Sequence, residues 1–142
     1  MRIVIFEKDY SDINTVHNTI QRIAKVKEYP IYLVLTTRKE KSVYEYMKNY
    51  EANAYFITID EHDLQTIELA KSIRATHPKA QIFFMTKQST QEIDTLSNQL
   101  NSTVIEKNTI TFANKIEMHF LNAYRMYIQK EQVTIQETVP TV

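Results

Sequence analysis

The chain has 142 residues, 17 Lys+Arg against 17 Asp+Glu, four His, no cysteine and no glycine. That length and a hydrophobic fraction of 43% suit one domain with a real core, whereas formal neutrality argues against a bulk polyanion binder. Lack of cysteine excludes disulfides, thiolate metal sites and cysteine nucleophiles, and lack of glycine excludes the Walker loop, the dinucleotide fingerprint and the nucleophile elbow.

Residues 2–6, with Ile3, Val4, Ile5 and Phe6 in succession, predict a first strand rather than a signal peptide. Ser11 is placed to cap a helix whose apolar residues Ile13, Val16, Ile20 and Ile23 share one face. Pro30 stops it, and residues 31–35 read as the second strand. A helix carrying Val43, Tyr46, Met47 and Tyr50 follows, then a third strand over 54–59. The third helix starts near Leu64, runs through Ile67, Ala70 and Ile73, and ends before Pro78. Residues 81–86 predict strand four. Ser89 with Glu92 matches a capping box opening a helix with Ile93, Leu96 and Leu100. A short fifth strand covers 103–105, and a last helix carries Phe112, Ile116, Phe120, Ala123, Tyr124, Tyr127 and Ile128. Beyond about Lys130 the chain turns polar. Residues 131–138 read as a lone strand, so 1–129 is taken as the domain and 130–142 as a linker or the start of a further domain.

Five βα units with continuously apolar strands predict an α/β fold: a parallel sheet covered by helices on both faces, in the flavodoxin-like order 2-1-3-4-5. No apolar run approaches the roughly 18 to 20 residues of a membrane span, so a cytoplasmic domain with no membrane partner is expected. A ligand in such a fold sits at the carboxyl ends of the strands. Those ends carry Glu7, Lys8 and Asp9 after strand one, Thr58 and Asp60 at strand three, Thr86 at strand four, and Lys107 after strand five.

The stretches 1–7, 55–60, 72–78 and 82–86, together with Lys107, resemble the receiver domain of bacterial response regulators. More narrowly, they are similar to receivers of LytTR-type regulators of competence and accessory-gene quorum sensing. In an active receiver, by that resemblance, a carboxylate ending strand three is the phosphoacceptor and two acids ending strand one hold Mg²⁺. A hydroxyl on strand four and a lysine on strand five then bind the phosphoryl group. Here Glu7, Thr86 and Lys107 match their roles. Thr58 stands where the phosphoacceptor Asp belongs, and Lys8 where a metal-binding Asp belongs. A threonine without a positioned base is a poor nucleophile, and an ammonium about 4 Å from a unit cation costs roughly 4 kcal/mol at an effective dielectric near 20. Lys8 is expected to neutralise Glu7 in place of the metal. Asp60 and Asp9 could rescue phosphorylation with Mg²⁺, but their expected places are an acidic loop and a solvent-facing turn.

The resemblance therefore implies a pseudo-receiver: no enzyme, no cofactor and no bound metal, with a fixed polar network as its pocket. Val104 stands where active receivers carry the aromatic switch residue. On the last helix Ile116, Phe120, Tyr124 and Tyr127 are assigned to the interaction surface, with Met118 and Ile128 as extra apolar residues. The implied partners are a second copy of the chain and a histidine kinase or another regulator. DNA would be contacted only through a C-terminal LytTR domain outside these residues. An active receiver and a stand-alone adaptor that titrates a kinase or regulator stay open as alternatives. His17, His62, His77 and His119 lack metal-ligand spacing and read as surface histidines. Tyr44, Tyr46 and Tyr50 read as sheet cover, and Lys25, Lys27, Arg38, Lys39 and Lys41 as a solvated face.

Overall fold

The computed structural model describes residues 1–107 and 110–138, with side chains up to residue 133. Ten elements alternate along it: β1 Arg2–Phe6, α1 Tyr10–Val26, β2 Tyr32–Thr37, α2 Glu40–Met47, β3 Ala54–Thr58, α3 Leu64–Thr76, β4 Gln81–Thr86, α4 Gln91–Gln99, β5 Thr103–Glu106 and α5 Phe112–Thr138. The strands form one parallel sheet in the order β2-β1-β3-β4-β5, as the apolar pattern predicts.

Strand alternation splits the core into two layers. Ile3 and Ile5 of β1 and Ala54 and Phe56 of β3 face α1 and α5, meeting Val16, Ile20, Ile116 and Phe120. Val4, Phe6, Tyr55 and Ile57 face the other way, onto Val43 of α2, Leu69 and Ile73 of α3, and Ile93 and Leu96 of α4. The central strands β1, β3 and β4 are buried on both sides. β2 is a half-exposed edge, so burial of every strand on both faces holds only for the middle of the sheet.

Several local expectations need correcting. Asp9, not Ser11, caps α1, accepting from the Asp12 amide at 2.8 Å. Its carboxylate is thereby fixed at a helix end, and Asp9→Ala is expected to lower stability by about 1 kcal/mol in a urea titration. Thr90, one residue after Ser89, caps α4 through the Ile93 amide, while the Ser89 hydroxyl donates to Asp94. Residues 131–138 continue α5 rather than forming a lone strand. The part of the tail at 139–142 lies outside the described residues.

The interaction surface assigned to α5 also changes. Ile116 and Phe120 are fully buried and Tyr124 nearly so, with the Tyr124 ring stacked on Tyr29 at 3.9 Å. These three dock the helix onto the sheet and α1, and Tyr127 packs half-buried beside them. Among the described residues, the large exposed apolar side chains of α5 are Met118, Met126 and Val133.

Two helices end in the left-handed conformation without glycine. Glu28 (φ 56°) follows α1, and Asn101 (φ 49°) follows α4. In each case the next amide reaches back to close the helix end, Tyr29 N–H to the Ala24 carbonyl and Ser102 N–H to that of Ser97, both at 2.9 Å.

Candidate functional site

The parallel topology gathers the carboxyl ends of β1, β3, β4 and β5 around a cavity of about 520 Å³. Lys8, Asp9, Thr58, Asp60, Thr86 and Lys107 are all on its wall. Glu7 lies behind them, 1% exposed, and Lys107 joins it from the far side of the sheet. The Lys107 ammonium donates to Glu7 Oε1 at 2.8 Å and to the Thr58 hydroxyl at 3.4 Å, and sits 3.3 Å from Asp12 Oδ2. Burial raises the pKa of Glu7, although the Lys107 hydrogen bond and charge pull it back down. Its second oxygen, Oε2, is buried with no hydrogen-bond partner.

Lys8 does not neutralise Glu7. The two are successive residues leaving a strand and turn to opposite sides. Lys8 reaches Glu40 Oε1, in the first turn of α2, and Asp63 Oδ2, at the N-cap of α3, each at 2.6 Å. Burial opposes the Lys8 charge, but the two carboxylates outweigh it and raise its pKa, while the Lys8 hydrogen bond holds the Asp63 carboxyl below its usual range. The Lys8 carbonyl accepts from Arg38 Nε at 3.0 Å, and the Arg38 guanidinium lies over the Tyr10 ring. Lys8 is thus a clasp between three loops rather than a counterion within the pocket.

Of the remaining candidates, Thr86 is 3% exposed and donates to the Gln88 carbonyl at 3.2 Å. Asp60 is exposed, and its Oδ1 accepts from the His62 amide at 2.9 Å in a local turn. Val104 is not on the cavity wall and packs half-buried against the α2–α4 side of the core. Sequence reasoning singled out none of Asp12, Glu40 and Asp63 as site residues. All three stand in or just before the first turn of a helix that follows a strand end, which is the signal that could have located them. His77 is another correction: it is 6% exposed, stacked on Tyr55, and not a surface histidine.

No family model and no curated protein matches this chain. Solved structures do. The response regulatory domain of protein mrkE from Klebsiella pneumoniae is 18% identical, covering 91% of this chain and 99% of that one at a TM-score of 0.74. The fold is that of a response-regulator receiver domain. A response regulator from Thermotoga maritima is 9% identical over 86% of this chain and 95% of its own, at a TM-score of 0.68. The RcsB response regulator of Salmonella typhimurium, in a structure concerned with its DNA interaction, is 12% identical at a TM-score of 0.65. That match covers all of this chain and 64% of RcsB.

The receiver fold implies a Mg²⁺ site at these strand ends, and the residues present do not fit one. Mg²⁺ asks for oxygen ligands in near-octahedral array. Glu7 has one oxygen held by Lys107, Asp9 caps α1, and Lys8 on the cavity wall offers no oxygen ligand. Among the described residues, no three acidic or histidine side chains come together in a way that could hold a metal. No helix of the described residues is long and apolar enough to cross a membrane.

Proposed function

We propose that this receiver-like domain works without phosphorylation, as a dimerisation and protein-interaction module of a LytTR-type regulator in bacterial signal transduction and transcription. The observation that carries this reading is the set of bonds made by Lys107. The lysine that would meet a phosphoryl group is committed to Glu7, Asp12 and Thr58, with a threonine at the acceptor position. Such a pocket has one stable arrangement and no chemistry to change it, so the chain acts as a scaffold rather than an enzyme. Control then comes from abundance or from a partner, in the cytoplasm and in the setting of quorum sensing. A DNA-binding domain following α5 would complete the regulator. With Ile116, Phe120 and Tyr124 committed to the core, the dimer contact falls to Met118, Met126 and Val133 on the outer side of α5.

The test is an amide NMR titration with Mg²⁺ and beryllofluoride, a mimic of aspartyl phosphate. The wild-type chain is expected to show no saturable change and to sediment as a dimer throughout. A Lys8→Asp/Thr58→Asp double variant, which returns both missing carboxylates to the pocket, is expected to gain a saturable response around Thr86 and Lys107. A saturable response in the wild type would show that Asp60 or Asp9 serves as the acceptor and would overturn the proposal.

A further inference from the structure

At the end of the sheet opposite the strand-end pocket, a second cavity of about 530 Å³ opens beneath β3 and β4. Its wall includes Glu51 of the α2–β3 connection, His77 and Lys79 of the α3–β4 connection, and Tyr127, Lys130 and Glu131 of α5. His77 is the unusual member. Its ring lies nearly parallel to that of Tyr55, with centroids 6.0 Å apart, and both ring nitrogens are buried without a hydrogen bond. A buried imidazole with neither nitrogen satisfied is costly, and the structure offers it one way out. Glu51 Oε1 stands 3.4 Å from Nδ1, on a side chain 80% exposed and therefore able to move.

We propose that His77 and Glu51 form an acid-operated clasp that joins the α2–β3 connection to the α3–β4 connection when His77 takes up a proton. A neutral imidazole gives Glu51 little reason to leave water. An imidazolium makes both nitrogens donors and turns the contact into a charge-assisted hydrogen bond, which draws Glu51 over the ring. The surroundings neither forbid nor duplicate this. From β3, Tyr55 stays neutral because burial pushes its hydroxyl up to about 12. From α3, the Arg74 guanidinium binds the His77 carbonyl at 3.3 Å and opposes the new charge. Lys79 adds to that opposition, while on α5 Lys130 and Glu131 line the cavity with opposite charges. Glu51 is the carboxylate in contact with the ring. The clasp does not depend on whether the strand-end pocket is phosphorylated.

The experiment is amide hydrogen exchange on the whole chain at ~pH 7.5 and ~pH 5.5, corrected for intrinsic rates. Acidification is expected to slow exchange at Ala52, Asn53 and Lys79 by about three- to fivefold, the size of a partly exposed ion pair. Glu51→Gln, a surface change that leaves folding intact, is expected to remove the slowing, as is His77→Phe, which keeps the ring stack. Equal corrected exchange at both pH values in the wild type, or unchanged slowing in Glu51→Gln, would overturn the clasp.

Discussion

Replacing Lys107 by methionine is expected to destabilise the domain by about 3–5 kcal/mol at neutral pH, the usual result of orphaning one member of a buried ion pair. Glu7 is 1% exposed and the Lys107 side chain 6%. Without the ammonium, Glu7 keeps its desolvation and loses the hydrogen bond that offsets it. The pH dependence follows from the sign of the Glu7 shift. Its folded pKa is already raised, so the folded state binds the proton more tightly than the unfolded chain, and ionising Glu7 costs stability as pH rises through the carboxylate range. Loss of Lys107 raises that pKa further. The deficit should therefore be full at neutral pH and shrink as pH falls through the Glu7 titration. Urea midpoints measured across that range check it. A Glu7→Leu/Lys107→Met double variant should recover most of the loss, because an apolar pair of similar volume needs no solvation. If the single variant were as stable as wild type at neutral pH, the pair would not be the centre of the pocket.

The second large effect is expected at Arg74, far from the pocket. Its Nε and Nη groups donate to the carbonyls of Leu100, His77, Pro78, Ala80 and Asn101, at distances from 2.8 to 3.3 Å. Two connections, α3–β4 and α4–β5, are thus hung from one guanidinium whose planar fork suits several acceptors at once. Burial lowers the Arg74 pKa, but the group stays charged over any working range. Arg74→Met keeps the apolar stem and removes all five donor contacts. About 3 kcal/mol should be lost, since hydrogen bonds from a charged group contribute about 1.5–3 kcal/mol each and some of these carbonyls can turn to water. Calorimetry should show a melting temperature lower by roughly 10 °C. Arg74→Lys should recover little of it, because an ammonium cannot span the same set of carbonyls.

The architecture was largely legible in the sequence because β1, β3 and β4 are apolar without interruption, which marks strands covered on both sides. The edge strand β2 was placed less well. It begins at Tyr32 and runs to Thr37, and its half-exposed residues carry a weaker pattern. The run through Val133 and Ile135 alternates like a strand yet belongs to α5, since extending a formed helix costs far less than starting a strand that has no neighbour. At the site, topology dictated which residues would meet, but not how they would pair. Whether Lys8 or Lys107 reaches Glu7 depends on the direction in which each side chain leaves its strand, one residue's difference in parity. The place of His77 was hidden for another reason. Its burial comes from stacking on Tyr55, a tertiary contact with no trace in local composition.

The left-handed helix ends at Glu28 and Asn101 bear on the denatured chain as much as on the fold. A residue with a Cβ in that conformation costs roughly 1–2 kcal/mol that glycine would avoid, less for asparagine. A chain of this length would ordinarily carry roughly ten glycines, and this one has none. Each missing glycine removes from the unfolded ensemble a link that samples both halves of backbone space. The polypeptide thus accepts local strain where two helices stop and, in exchange, begins folding from a narrower set of conformations.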